Sequence, residues 1–261
     1  MKISIVTPSY NQGQFIEQAI QSVQNQNYPN FEHIIIDNQS QDKTKEVIKK
    51  YPNLIFISEP DKGQSDALNK GFKRATGDII GWLNADDKYL PECFKVVVNY
   101  FQEKPELDML YGNYNWINED NKLIKKRKEL DFDLFMLKYL HTLYIPSTAS
   151  FLRRKIFLDH HFLDISLNYA MDYDFFLRLA LHGYKIKHIN YFLADYRWHQ
   201  DSKSTQGVIK AAKERENSLL KHDHYLQALP LFQRVVARKI LMYLARSKRY
   251  FLKTIKGYYF S

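Results

Sequence analysis

Short apolar runs that close on polar residues and lead into a helical pattern return regularly, and this limits the chain more than any other feature. Lys2–Thr7, His33–Ile36, Leu54–Ile57, Asp78–Leu83 and Asp108–Tyr111 read as strands. Between them Phe15, Ile16, Ala19, Ile20 and Val23 fall at helical spacing, and Asp42–Tyr51 and Ser65–Ala75 read as helices. Pro91 fits the first turn of a further helix that runs to about Glu103. Strands alternating with helices of this length predict βαβ units, a mostly parallel sheet and right-handed crossovers. After Gly112 the period shortens to an α+β pattern. Asn113–Lys128 predicts a hairpin turning at Asn118–Asn121, Ser147–Leu152 a strand, Asp172–His182 a helix and Lys185–Trp198 an extended segment. No Gly/Ser-rich or Pro-rich linker separates the halves, so one continuous core is expected.

Composition removes several classes. A single cysteine, Cys93, excludes an intramolecular disulfide and a multi-cysteine zinc site. No stretch of about 18 apolar residues is present to form a membrane-spanning helix. Met1–Val6 goes straight into a strand-like run, unlike a signal peptide, so a reducing, cytoplasmic location is expected. The net charge is +9, but Pro230–Ser261 holds eight basic side chains and no acid. The remaining body is nearly neutral, which argues against a nucleic-acid partner.

Ligands of open parallel sheets bind at the carboxyl ends of the strands. Four such ends are polar here: Thr7–Asn11, Asp37-Asn38, Glu59–Gly63 and Asn84–Asp87. One acid after a strand is an ordinary turn former. Four polar ends in consecutive βα units converge on one edge and predict one pocket. Asp86-Asp87 is the sharpest local signal. Adjacent carboxylates repel unless a cation or hydrogen bonds offset them, and Mg²⁺ or Mn²⁺ takes one or two carboxylates together with substrate phosphates. A solvated cap before the helix at Pro91 is the plainer alternative. The first strand is followed by no Gly-x-Gly-x-x-Gly, and no P-loop motif occurs, which argues against dinucleotide and P-loop chemistry.

Taken together, Thr7–Gln12, Ile35–Asp42, Glu59–Gly71 and Ala75–Asp87 resemble the inverting family 2 glycosyltransferases of the GT-A fold. Ser147–Arg154, Ala170–Leu179 and Tyr196–His199 resemble the acceptor-side motifs of that family, so the likeness covers roughly residues 1–205. It implies a Rossmann-like α/β sheet flanked by helices. Residues 1–112 would form the nucleotide-sugar half, 113–205 the acceptor half of the same domain, and 206–261 a helical, basic C-terminal segment.

The resemblance also implies a site. Thr7, Pro8 and Tyr10 would hold the nucleotide with Asp37, whose carboxylate can accept from a pyrimidine imide N–H, favouring a UDP- or dTDP-sugar. The loop carrying Asp61 and Asp66 would close over the donor. Asp86-Asp87 would form the metal and ribose motif for Mn²⁺ or Mg²⁺. Asn84 stands where the family often has the first acid of Asp-x-Asp; Asp87 is favoured as ligand, with Asp86 toward the ribose. His199 would reach the metal or the diphosphate. Asp172 would be the base that takes the proton of an acceptor hydroxyl. Met171 precedes it where many members have Glu. Asp174 reads as structural, paired within its helix with Arg178.

Other residues read as structural. Cys93 and Trp82 belong to the core, with Trp82 able to flank the donor. The scattered His141, His160, His161, His182 and His188 show no metal spacing, and His222 and His224 lie in a polar stretch. Tyr114 and Trp116, in the predicted hairpin, are candidates for stacking on a sugar. A sugar-phosphate nucleotidyltransferase would carry a basic Gly-rich loop after the first strand, and Pro8–Gln14 holds no Lys or Arg. A non-catalytic binding module would not need Asp86, Asp87, Asp172 and His199 together.

Drawn as one helix, Pro230–Ile255 places its basic residues in one arc of about 180° and Phe232, Val236, Ile240, Tyr243, Leu244, Tyr250, Phe251 and Ile255 opposite. That amphipathic pattern predicts a peripheral contact of residues 230–261 with an anionic membrane surface, at the inner face, and the saccharide or lipid-linked acceptor that the resemblance implies would give that location a purpose. The alternative is an apolar face docked on the catalytic core with the basic face in water.

Overall fold

A computed structural model describes residues 1–140, 142–199, 202–203 and 207–258. His141, the 205/206 boundary and the last three residues of the basic segment lie outside the described residues.

The first half forms as the periodicity predicts. Strands β1 (Ile3–Ser9), β2 (Phe31–Asp37), β3 (Ile55–Ser58) and β4 (Ile79–Trp82) alternate with helices α1 (Ile16–Gln24), α2 (Thr44–Lys49) and α3 (Gln64–Arg74). Every residue of β1 is buried, which explains its unbroken apolar start: both faces of a parallel strand are covered by helices. In α1 the buried positions are Ile16, Ala19, Ile20 and Val23, the predicted stripe. Helix α3 lies tight against β1 because Gly71 has no side chain; a Cβ there would stand 2.2 Å from Val6 Cγ1.

The rest of the chain adds β5 (Lys88–Tyr89), α4 (Cys93–Glu103), the hairpin β6 (Met109–Ile117) and β7 (Leu123–Arg127), and α5 (Leu134–Tyr139). A 3₁₀ turn (Ser147–Ala149) leads into β8 (Ser150–Arg153), followed by α6 (Lys155–Leu158), α7 (Met171–Leu181) and β9 (Ile186–Arg197). Helices α8 (Val208–His222), α9 (His224–Ala228) and α10 (Leu231–Ile255) close the described chain.

The sheet runs β3-β2-β1-β4-β8-β6-β9-β5, with β7 on the outer part of β6. Pairs β1/β2, β1/β4, β2/β3 and β6/β9 are parallel. Strand β8 is antiparallel to both of its neighbours, β4 and β6, and so joins the two halves. The chain leaves β1 for β2 on one side and returns to β4 on the other, which makes β1/β4 the switch point where such sheets bind ligands. Register aligns Ser9 with Asp37 and Asp37 with Ser58, so the polar strand ends stand in one row. The core crosses both halves: Val6, Ile34, Leu68 and Trp82 share one buried cluster with Met136, Ile156, Phe175 and Leu179.

The C-terminal helix docks the other way round from the docked arrangement expected. Its basic side turns toward the body. Arg249 and Lys253 pair with buried Glu129 at 2.9 and 3.1 Å, Lys248 with Asp133, Lys256 with Asp131 at 2.8 Å, and Arg238 with Glu216. Arg234 donates to the carbonyls of Gln227 and Leu229. The apolar side faces solvent, with Phe232 80% and Tyr243 70% exposed. Acidic side chains of the segment after β7 and of α8 outweigh apolar docking here, because only pairing makes the buried Glu129 carboxylate tolerable. Most of the positive charge expected to meet lipid is therefore engaged within the protein. Among the described residues no helix is long and apolar enough to cross a membrane.

Candidate active site

A cavity of about 650 Å³ opens at the carboxyl ends of β1 and β4, walled on its far side by α7 and α8. Of the residues singled out in the sequence, Pro8, Tyr10, Asp61, Asp86, Asp172 and His199 line it. Trp82 lines it too, and donates its indole N–H to Asn84 Oδ1 at 2.9 Å.

Asp86 and Asp87 follow one another in a tight turn and face different surroundings. Asp86 faces the cavity, with Oδ2 at 3.0 Å from His199 Nε2. Asp87 is buried and not part of the wall. Its Oδ1 accepts from the Arg197 backbone N–H at 2.8 Å, and its Oδ2 accepts from Asn84 Nδ2 at 2.9 Å and from the Thr148 hydroxyl. Burial, then the adjacent Asp86 carboxylate, holds the Asp87 carboxyl well above the usual range. Asp87, the expected metal ligand, therefore has its oxygens engaged by the protein, and of the two carboxylates it is Asp86 that lines the cavity.

Behind the turn sits a residue to which the sequence reading gave no role. Arg197, at the end of β9, is fully buried. All five of its guanidinium N–H groups meet acceptors: the Asp86 carbonyl at 2.8 Å, the Asn118 and Glu119 carbonyls at 2.9 and 3.0 Å, Gln18 Oε1 at 2.8 Å and Asn121 Oδ1 at 3.0 Å. It also lies 4.9 Å over the Phe15 ring. One side chain so ties the acidic turn to α1 and to the β6–β7 turn.

Three expected donor contacts lie off the cavity wall. Thr7 Oγ1 bonds His33 Nε2 at 2.9 Å inside the sheet. Asp37 accepts from Ser40 N at 3.0 Å, from Ser58 Oγ at 2.9 Å and from the Ser40 hydroxyl, which fills three of its roughly four acceptor positions. Asp66 accepts from Lys62 N at 3.0 Å and pairs with Lys70 at 3.7 Å, so it shapes the Asp61–Asp66 loop from within. That loop turns at Gly63, whose φ of 113° suits glycine. Asp61 accepts from the Gly63 N–H at 2.8 Å and is drawn toward the neutral form by burial.

Asp172 stands in the first turn of α7. Burial raises its carboxyl above the ordinary range, against the opposing pull of Arg215. Its helix start is held from α8: Glu214 accepts from the backbone N–H groups of Asn168, Tyr169 and Ala170 at 3.2, 2.7 and 2.8 Å. Asp174 is structural, accepting from Arg178 Nε at 2.7 Å and from Ser218 Oγ at 2.7 Å. Lys203 and Arg215 also line the cavity, and the sequence reading missed both. Lys203 Nζ donates to Gln64 Oε1 and the Asn168 carbonyl at 3.2 Å each. The run Lys213-Glu214-Arg215-Glu216 reads as a solvated helix face, and only the packing of α8 onto α7 reveals its inner members. Tyr114 and Trp116 do not reach the cavity; Trp116 lies under the Arg127 guanidinium at 4.9 Å.

No group of three metal-binding side chains exists among the described residues. The Asp86–His199 pair still fits a divalent cation that draws its remaining ligands from a diphosphate. Its 3.0 Å separation matches neighbouring ligands each about 2.1 Å from one ion. Imidazole beside carboxylate suits Mn²⁺ more closely than Mg²⁺.

Comparison with known proteins bears on the fold and the family. An uncharacterized glycosyltransferase of Methanocaldococcus jannaschii is 29% identical over 75% of this chain and 70% of its own length. The chain spans 53–59% of the next four curated relatives. Staphylococcus aureus TarS, solved with UDP-GlcNAc, superposes with a TM-score of 0.65 at 15% identity, covering 94% of this chain and 79% of that one. A Pyrobaculum calidifontis mannosyltransferase, solved with GDP-Man and Mn²⁺, gives 0.64 at 14% identity, covering 94% and 73%. The fold is therefore GT-A. Residues 4–160 match Glycosyl transferase family 2, and with β1 through β4 carrying the acidic turn at the switch point, the chain belongs to that family.

Proposed function

We propose that the protein transfers a sugar, with inversion, from a nucleoside diphosphate donor to a hydroxyl of a saccharide or lipid-linked acceptor, with UDP- or dTDP-sugars favoured. The observation that carries this reading is the single cavity into which Asp172 faces together with the Asp86–His199 pair.

Tyr10, 57% exposed at the rim, offers a ring for the base. Pro8 and Asp61 flank the nucleoside. Asp37 retains one acceptor position at the same sheet edge, and a pyrimidine imide is a donor that suits it. Asp86 and His199 are the side chains that would hold Mn²⁺ or Mg²⁺, which when bound offsets the charge of the diphosphate. Lys203 and Arg215 supply donors to the same charge from α8 and the segment before it.

Asp172 acts as the base. A sugar hydroxyl is a poor nucleophile at neutral pH, and a carboxylate in reach takes its proton as the bond to the anomeric carbon forms and the nucleoside diphosphate leaves. Burial raises the affinity of Asp172 for that proton, and Arg215 keeps the carboxylate ionised beforehand. The acidic turn needs no motion, because Arg197 already fixes its backbone.

Calorimetric titration with UDP, with and without Mn²⁺, tests the reading. Wild type binds UDP tightly only with Mn²⁺, and Asp86→Ala loses that dependence. Equal UDP affinity of wild type and Asp86→Ala in Mn²⁺ would remove the carboxylate from the metal site.

A further inference from the structure

A second cavity, of about 380 Å³, lies between the end of β7, the segment after α5, and α10. Four cationic side chains line it, Arg127, Arg246, Arg249 and Lys253, and no carboxylate does. Beneath them Glu129 is buried and pairs with Arg249, Lys253 and Arg127, the last at 3.6 Å. The nearby Asp131 and Asp133 are engaged by Lys256 and Lys248. One carboxylate thus serves three of the four cations, and Arg246 has no acidic partner among the described residues.

The excess shows in local chemistry. The Nε groups of Arg127 and Arg249 are buried without a hydrogen-bond acceptor among the described residues. Burial, joined by the like charges of Arg249 and Arg127, draws the Lys253 ammonium below its usual range, against the pull of Glu129. Crowded, partly buried cations in excess of acids attract an anion, and guanidinium forks match phosphate oxygens in particular.

Two features say which phosphate fits. Thr142 lines both this cavity and the donor cavity, so the two are neighbours. Tyr250, in the wall, shares one stripe of α10 with Tyr243, seven residues earlier, on the outward apolar side with Phe251. A ligand with a phosphate between an apolar tail and a polar head would meet all three surfaces.

We propose that this cavity holds the phosphate or diphosphate of a lipid-linked acceptor, its tail along the apolar side of α10 and its sugar end reaching the donor cavity past Thr142. The proposal rests on the transferase reading above and adds the acceptor class to it. It also reverses the electrostatics of membrane contact: the apolar side of the helix meets lipid, and the basic side meets phosphate.

The test uses the full chain in EDTA, so that no divalent ion captures a diphosphate at the donor site. Farnesyl diphosphate is titrated calorimetrically, with farnesol as the control lacking phosphate. The expected result is binding of farnesyl diphosphate, none of farnesol, and an affinity at least tenfold weaker in Arg246→Gln. Arg246 is exposed and has no acidic partner to leave behind, and a thermal melt verifies the fold of the variant. Equal affinity of wild type and Arg246→Gln, or equal binding of farnesol, overturns the proposal. In a second arm, vesicles of phosphatidylglycerol and of phosphatidylcholine are sedimented with the chain. Arg246-dependent binding to phosphatidylglycerol vesicles without binding of farnesyl diphosphate assigns the cavity to a membrane headgroup and overturns the acceptor. Mn²⁺-dependent UDP binding by wild type is read separately. Its presence with no farnesyl diphosphate binding sinks the subsite alone, and its absence sinks the transferase reading.

Discussion

Replacing Arg197 by lysine keeps a positive charge and removes the planar fork. The guanidinium satisfies five acceptors at 2.8–3.0 Å. An ammonium has three donors on one atom, so at least two acceptors lose their partner. A hydrogen bond to a charged group contributes roughly 1.5–3 kcal/mol, which puts two lost bonds at about 3–6 kcal/mol. Shared geometry makes such losses less than additive, so we expect about 3–5 kcal/mol, the scale of a broken buried ion pair. For a chain of this size that lowers Tm by on the order of 10 °C. The Asp86 carbonyl is among the released acceptors, so the turn carrying the cavity-facing carboxylate loosens as well. Mn²⁺-dependent UDP affinity should then fall at least about tenfold, the equivalent of one such hydrogen bond. Urea unfolding and calorimetry on wild type and Arg197→Lys measure both effects. A variant that melts within about 2 °C of wild type and binds UDP equally well with Mn²⁺ refutes the clamp.

Three further outcomes follow from the same geometry. Asp172→Asn should keep Mn²⁺-dependent UDP binding while turnover drops by roughly 10²–10⁴-fold, and intact turnover would take the base role away from Asp172. Asp87→Asn should cost stability more than Asp86→Ala does, because only Asp87 accepts three protein hydrogen bonds; equal melting temperatures would contradict this. His33 is buried and held neutral, its pKa pushed down to about 3, so the unfolded chain binds the extra proton first. Stability should therefore decline as pH falls from about 6.5 toward 3, by about 1.4 kcal/mol per unit from His33 alone; a His33→Gln variant with the wild-type slope would exclude it as the source.

The strands and helices before Gly112 were legible because period-2 and period-3.6 patterns are local, and β1 to β4 lie where the apolar runs stand. Asp86 was legible because polar strand ends must converge in a parallel sheet, whereas Asp172, on α7, and His199, after β9, were expected only through the family resemblance; the fold brings all three to one cavity. What failed was orientation. Asp86 and Asp87 are neighbours, and which one faces ligand depends on Thr148 and Arg197, both more than 60 residues away. Arg197 itself resists sequence reading, because a charged residue is presumed exposed unless its partners are known, and its acceptors come from three separate segments. A helical wheel separates the two sides of α10 but does not say which one docks; that is decided by Glu129, Asp131 and Asp133 in the segment between β7 and α5.

Strand β8 also sets a schedule for synthesis. β4 ends at Trp82 and its outer edge is covered only by β8, which begins at Ser150. At about 5–20 residues per second, a ribosome takes roughly 3–14 s to deliver the missing neighbour. During that interval the nascent chain carries four apolar-lined strands with an open edge beside the switch point, the kind of template on which a second chain can pair. Cutting the gene anywhere between Gly112 and Ser150 makes that interval permanent. The first half expressed alone should therefore aggregate, while a split placed after Arg153 would leave the edge sealed.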